Sequence, residues 1–334
     1  MSGPFLRYRP HLDLFITEEC PLRCPYCAYD AGSRWSMALD EALRVVERAR
    51  ELGLYKVHLF GGDPLAYPRI LELLRELRKR YRDELTLGLL TRGIPVQRFR
   101  EALRFVDEVL LTVESRSEKR YDVEEVLRVA RGSSAWIRIG TVFTKLNAGE
   151  MRSLARWIAL ELGFDNYCAM YMTPAPEVLN PRTWRRSAEL WIPPREWIAL
   201  LRSLAGDREL VESAGDAIRV EPAFVRPEAR RGCELREYLR RLVHRKGLWY
   251  PCHMHVMIGW GTPRPEGIVR DPALWTRSDG LCPGYLAIAM RLPGVRRELE
   301  PWIHLLECPM RTVRLRDLEK VLPSTCLHRE DRRG

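Results

Sequence analysis

The chain has 334 residues, 46% of them hydrophobic and 30% charged, with a formal net charge of +10. That length holds one large α/β domain with an extension, or two modest domains, and buries enough core to fold without disulfides or structural metals. The composition excludes a disordered chain, and no stretch approaches the ~18 uninterrupted apolar residues of a membrane span. Residues 1–10 contain no apolar run followed by a small-residue cleavage site, so the expected location is the cytoplasm. Of the 55 basic residues, 49 are arginine, and the side-chain amides are only Asn147, Asn166, Asn180 and Gln97. A thermophilic source or a high-GC genome gives such a bias. Arginines alternate with acids along most predicted helices, for instance over 72–84, so a solvated surface accounts for the charge. Nucleic acid is therefore a disfavoured partner.

Leu12 to Thr17 is a short apolar strand. Met37 to Leu52 has helical spacing, with Ala42, Leu43, Val46 and Ala49 on one face. Tyr55 to Phe60 reads as a strand stopped by Gly61-Gly62. Ile70 to Tyr81 follows as a helix whose stripe is Ile70, Leu73, Leu74 and Leu77. Strands are expected over 85–90, 109–113, 136–143 and 166–172, with helices over 96–105, 123–130 and 150–162 between them. Six strands, each reached through a helix, predict a parallel sheet with right-handed crossovers. Six units are too few for a closed eight-fold barrel, so the expected fold class is α/β, a partial (β/α)6 barrel. Chemistry in such folds sits in the loops at the C-terminal ends of the strands. Residues 1–180 form this core, and 181–334 form a looser, Cys-containing C-terminal extension with helices expected over 196–204 and 234–244.

Nine cysteines are too many to ignore in a reducing compartment, where clustering points to metal or catalysis. Cys20-Pro-Leu-Arg-Cys24-Pro-Tyr-Cys27 lies directly after the first strand. At this spacing three sulfurs can converge on one centre, whereas cubane iron–sulfur clusters normally take four thiolates. The missing ligand leaves one iron open. A closed zinc site is the alternative, needing a fourth ligand that His58 or a distant cysteine would supply. Gly61-Gly62-Asp63-Pro64 follows the second strand, 34 residues after Cys27, and on its own reads as a plain turn.

Together these segments resemble the radical S-adenosylmethionine (SAM) superfamily: a C-x3-C-x-aromatic-C run with Tyr26 in the aromatic place, then a segment like Gly-Gly-Glu-Pro. The resemblance covers about residues 12–176 and departs at Asp63, where the family usually shows Glu. It implies that Cys20, Cys24 and Cys27 each bind one iron of a [4Fe–4S] cluster, whose fourth iron chelates the methionine part of SAM. Gly61, Gly62 and Asp63, with Pro64 completing the segment, would accept hydrogen bonds from the SAM amino group. Reductive cleavage of SAM would then release a 5′-deoxyadenosyl radical, which abstracts hydrogen from a substrate. A ferredoxin- or flavodoxin-like reductant is the implied electron donor. Glu114 and Ser115 lie where relatives hold the SAM ribose. Arg138, a charge inside a strand, would pair with the SAM carboxylate or serve a structural ion pair. Asn147 would cap the next helix.

Cys252, Cys282, Cys308 and Cys326 recur at intervals of 30, 26 and 18 residues. They are candidate ligands of a second iron–sulfur cluster, as in members with a SPASM or twitch extension, although the close cysteine pair of those signatures is missing. His253 and His255 flank Cys252 as further metal donors. Buried thiols and disulfides are the competing readings. Cys168 reads as core, and Cys233 has no assigned role. Three functions follow: a radical SAM enzyme acting on a peptide or protein, one acting on RNA or a small metabolite, or a non-catalytic zinc or iron–sulfur protein.

Overall fold

The computed structural model describes residues 11–29, 33–174, 180, 182–226, 241–252, 256–257, 261–266, 268, 285, 291–306 and 312–323. Strands β1 (His11–Thr17), β2 (Lys56–Gly61), β3 (Thr86–Thr91), β4 (Glu108–Thr112), β5 (Trp136–Phe143) and β6 (Tyr167–Tyr171) pair in parallel, each with the next. Helices α1 (Leu39–Glu51), α2 (Ile70–Tyr81), α3 (Val96–Ala102), α4 (Val123–Arg131) and α5 (Met151–Arg156) make the crossovers. The expected α/β fold on a parallel sheet is borne out. The apolar stripes of α1 and α2 are buried as their spacing predicts. They pack on alternate strand residues, Leu12, Leu14 and Ile16 of β1 and Val57 and Leu59 of β2, in the main core. The opposite face of β1 presents Asp13 and Phe15, with Phe15 in a separate, smaller cluster beside Val243 and Tyr250. Both faces of the central strands are thus covered, which is why they read as nearly continuous apolar runs.

The sheet is wider than six strands. β7 (Ile218–Val220) continues the parallel order beyond β6, and β8 (Arg241–Arg245) pairs in parallel with β1. β9 (Leu248–Tyr250) and β10 (Val313–Arg314) add antiparallel edges, giving the order β10-β7-β6-β5-β4-β3-β2-β1-β8-β9. The helix expected over 234–244 is corrected where it can be followed: Leu242, Val243 and His244 lie beside Leu12, Asp13 and Leu14 in β8. Burial of Leu242 and Val243 against β1 overrides their local helical spacing. Helices α6 (Trp184–Leu190), α7 (Pro194–Ala205) and α8 (Arg208–Ala214) precede β7, while α9 (Pro293–Leu299) and α10 (Leu318–Val321) come later. The helix expected over 150–162 changes character at Trp157–Glu161, a π-helical turn. Among the described residues no helix is long and apolar enough to cross a membrane.

Candidate active site

The loop after β1 leaves the sheet at Thr17, whose hydroxyl pairs with Ser36 and the Trp35 carbonyl and accepts the Glu19 amide. Glu18 is 2% exposed, and its carboxylate pairs with Arg245 and, at 2.8 Å, with Lys246. Arg245 ends β8 and Lys246 begins the turn to β9, so the extension anchors the start of the cysteine loop. The end of the loop is anchored by Asn180, the last residue of the core, and by Thr183 of the extension. Asn180 Nδ2 donates to the carbonyls of Cys27 and Tyr29 at 3.1 and 2.9 Å, and Thr183 Oγ1 donates to that of Cys27 at 3.0 Å. Between these anchors the chain turns through Arg23 at φ +46°, and the Cys27 amide donates to the Cys24 carbonyl.

Cys24 is buried, and Cys20 and Cys27 are partly exposed as residues. Burial pushes the Cys27 thiol up to about 12, and the neighbouring Cys24 and Cys20 sulfurs add to the rise. Cys20 is raised in the same way, by burial first and then by Asp63 and Cys24. Cys20 and Cys27 therefore resist becoming bare thiolates, and both lie within the field of Cys24. Donors are aimed at them: Arg92 Nη2 and Arg120 Nη1 each lie 3.5 Å from Cys24 Sγ, and the Tyr29 amide lies 3.4 Å from Cys27 Sγ.

Gly61 and Gly62 end β2 in contact with this loop. Gly61 adopts φ +150°, and a Cβ there would lie 2.1 Å from the Thr17 carbonyl oxygen; one on Gly62 would lie 2.4 Å from that of Glu19. Only glycine allows this approach, which is locked by Gly62 N–H donating to Thr17 and Asp63 N–H donating to Glu19. Asp63 is 1% exposed. Its Oδ1 accepts from the Leu65 amide (2.9 Å) and the Thr91 hydroxyl (2.7 Å), and its Oδ2 from the Arg92 amide (3.0 Å). The carboxylate thus caps the short 3₁₀ turn Pro64–Ala66 and ties it to the end of β3. Burial raises its pKa despite these donors.

Past the end of β4, Glu114 meets Arg92 in a buried ion pair of 2.7 Å. Arg92 Nη2 also donates to the Tyr26 hydroxyl at 2.8 Å, and that hydroxyl in turn hydrogen-bonds Glu114. Burial raises the Glu114 pKa more than Arg92 lowers it. For Arg92 burial opposes the charge, yet Glu114 and Tyr26 hold its pKa well above the ordinary value. Asn147 does not cap a helix: its Oδ1 accepts from the Thr144 amide, and its Nδ2 donates to the Glu114 and Val142 carbonyls. Ser115 faces Glu150 at 2.8 Å and Ser117 at 3.0 Å. Arg138, within β5, hydrogen-bonds the Cys168 thiol of β6. His58 does not join the cysteines; it pairs with Asp13 and Glu108. Of the second set of cysteines, Cys252 is partly buried. Cys282, Cys308 and Cys326, like His253 and His255, lie outside the described residues.

The sequence profile of the radical SAM superfamily matches residues 14–146, the span that holds the three cysteines, Gly61–Pro64, Arg92 and Glu114. Residues 14–146 belong to the radical SAM superfamily. Among curated relatives, a GTP 3',8-cyclase of Petrotoga mobilis is 27% identical over 165 residues, covering 46% of this chain and 51% of that protein. A PqqA peptide cyclase of Gluconobacter oxydans is 40% identical over 82 residues, 24% of this chain and 22% of its own. The chain thus spans about half the length, or less, of these relatives. In fold it resembles Streptococcus suis SuiB bound to precursor peptide SuiA, with a TM-score of 0.58 at 16% identity over 84% of this chain and 71% of that one.

The donor set of the radical SAM domain fits an iron–sulfur cluster. Closely placed thiolates need positive charge nearby, and N–H groups directed at the sulfurs are how proteins tune such a cluster. Arg92 and Arg120 escaped the sequence reading. Thr91-Arg92-Gly93 looks like an ordinary strand stop, and only the packing of β3 beside the cysteine loop gives its guanidinium a partner.

Proposed function

We propose that this protein is a radical SAM enzyme that acts on a peptide. The observation that carries the reading is the placement of Cys20, Cys24 and Cys27 on one loop at the C-terminal end of β1, whose start, Thr17–Glu19, packs directly on Gly61 and Gly62. Those cysteines would hold a [4Fe–4S] cluster; with SAM bound, it supplies a 5′-deoxyadenosyl radical able to take hydrogen from a substrate. The chain's own residues keep the site in order. Arg92 and Arg120 offset thiolate charge on Cys24. Asp63, by holding Leu65 and Arg92, fixes the backbone of Gly61 and Gly62 where the SAM amino group would meet their carbonyls. Tyr26, Arg92 and Glu114 form a buried polar network that reaches Cys24 through Arg92. Glu114 and Ser115, the latter held by Glu150, are the candidate ribose contacts, and Arg138 is a candidate partner for the SAM carboxylate.

A peptide substrate is supported by the fold likeness to SuiB, which spans the extension as well as the core. Because the extension grips both ends of the cysteine loop through Arg245, Lys246 and Thr183, a substrate bound there would sit beside the site. The GTP 3',8-cyclase match favours a nucleotide as second reading, though it covers less than half of this chain. The test is deoxyadenosine formation by reconstituted protein with peptides encoded near its gene, against GTP. Stimulation by a peptide, with a mass change in that peptide, supports the first reading; turnover with GTP alone replaces it.

A further inference from the structure

At the opposite ends of the strands, β1, β2 and β4 carry a polar cluster that the proposed reaction does not use. His11 and Asp13 are two apart on β1 and share a face, and the β1–β2 register sets Asp13 beside His58. His58 Nδ1 lies 2.9 Å from Asp13 Oδ1, and His11 Nε2 lies 3.8 Å from Asp13 Oδ2. One ligand atom from each, two imidazole nitrogens and a carboxylate oxygen, all fall within 4.8 Å of one another. A tetrahedral zinc ion with bonds of about 2.0–2.1 Å needs its ligand atoms roughly 3.4 Å apart, a spacing that the separations of 2.9 and 3.8 Å bracket. Asp13 is fully buried, His11 is 9% exposed and the His58 side chain 17%, which limits the competition of bulk water.

Two further features mark the cluster as built. Glu108 pairs with His58 Nε2, and Lys56 Nζ holds Glu108 at 2.5 Å. A carboxylate behind an imidazole fixes the tautomer and turns the other nitrogen's lone pair toward the metal side. The room for the ring comes from Gly88 on β3, where a Cβ would lie 2.2 Å from His58 Cδ2. We infer that His11, Asp13 and His58 form a second metal site, for a borderline divalent cation of the zinc type, with Glu108 as the group that orients His58. Two imidazoles and one carboxylate suit such an ion. The ion would cross-link β1 to β2 at the ends remote from the cysteines.

The test is metal content of the full-length protein with its iron–sulfur cluster reconstituted, so that Cys20, Cys24 and Cys27 are occupied. It is dialysed against zinc, and X-ray absorption at the zinc edge identifies the ligands. The expected result is one zinc per chain with nitrogen and oxygen ligands, lost in His58→Gln and in His11→Asn. Glu108→Gln should weaken binding about ten- to a hundredfold. Zinc should also raise the thermal midpoint of the wild type but not that of His58→Gln. Should His58→Gln fail to fold, His11→Asn at the start of β1 carries the comparison. Substoichiometric zinc in the wild type, or zinc on sulfur ligands retained in the His11→Asn variant, overturns the site and leaves Asp13, His58, Glu108 and Lys56 as a buried ion-pair network.

Discussion

Asp63 separates a cofactor ligand from a structural bracket. Asp63→Ala deletes the acceptor for three donors, the Leu65 amide, the Thr91 hydroxyl and the Arg92 amide. An unsatisfied buried donor costs about 1–3 kcal/mol. The three costs do not simply add, and losing a carboxylate that is itself buried returns part of them. Removing one side of a buried, hydrogen-bonded charge network typically costs about 3–5 kcal/mol, which in a large domain lowers the thermal midpoint by roughly 6–10 °C. Asp63→Asn keeps an oxygen for two of the donors but sets an amide N–H against that of Arg92, so it should fall between wild type and alanine. Asp63→Glu forces one more methylene into a closed bracket and should cost about 1–3 kcal/mol. The assay is a melting series on the cluster-free protein, followed by SAM titration of each reconstituted variant that stays folded. If Asp63→Ala melts like wild type while SAM affinity falls about tenfold, the carboxylate is a direct SAM ligand and the bracket argument is wrong.

Arg92→Met should destabilise by about 3–5 kcal/mol because it strands Glu114, and adding Glu114→Gln should recover part of the loss; additive costs in urea melts would show the pair to be uncoupled. His244 is 3% exposed, and burial pushes its pKa from 6.5 down to about 4. The folded state therefore prefers the neutral ring: its contribution is complete above about pH 6.5 and is lost as pH falls toward 4, about 3 kcal/mol in all. His244→Phe should flatten that part of the acid-stability curve, and an unchanged slope between pH 6.5 and 4 would remove His244 as its source. Asn180→Ala removes the side-chain donor to the Tyr29 carbonyl and one of two to that of Cys27, and should speed deuterium uptake across residues 24–29, measured by mass spectrometry; unchanged uptake would mean that Asn180 does not hold the loop.

The central strands were legible because both their faces are apolar, and the first two helices because their stripes match a 3.6-residue period. The edge strands were not. β8 contributes only Leu242, Val243 and His244 between two arginines, and nothing local says that these residues will lie along β1. The three cysteines and Gly61-Gly62 announced the site, since close thiols and close backbone approach leave marks in sequence. The role of Asp63 left no such mark, because its partners Thr91 and Arg92 are distant in sequence and meet it only where β2 and β3 end together. Arg92 was hidden for the same reason. His58 was misdirected by the cysteines: as an isolated histidine it looked like a fourth zinc ligand, and only the β1–β2 register sets it against Asp13.

The central claim is tested most directly by anaerobic reconstitution of the full chain with iron and sulfide, then incubation with SAM and a strong reductant. Wild type should carry iron and sulfide in [4Fe–4S] proportion on Cys20, Cys24 and Cys27 and form 5′-deoxyadenosine, and Cys24→Ala should do neither while remaining folded. A wild-type protein that takes up zinc on those cysteines in place of the cluster, or that holds the cluster yet never yields deoxyadenosine, would contradict the account.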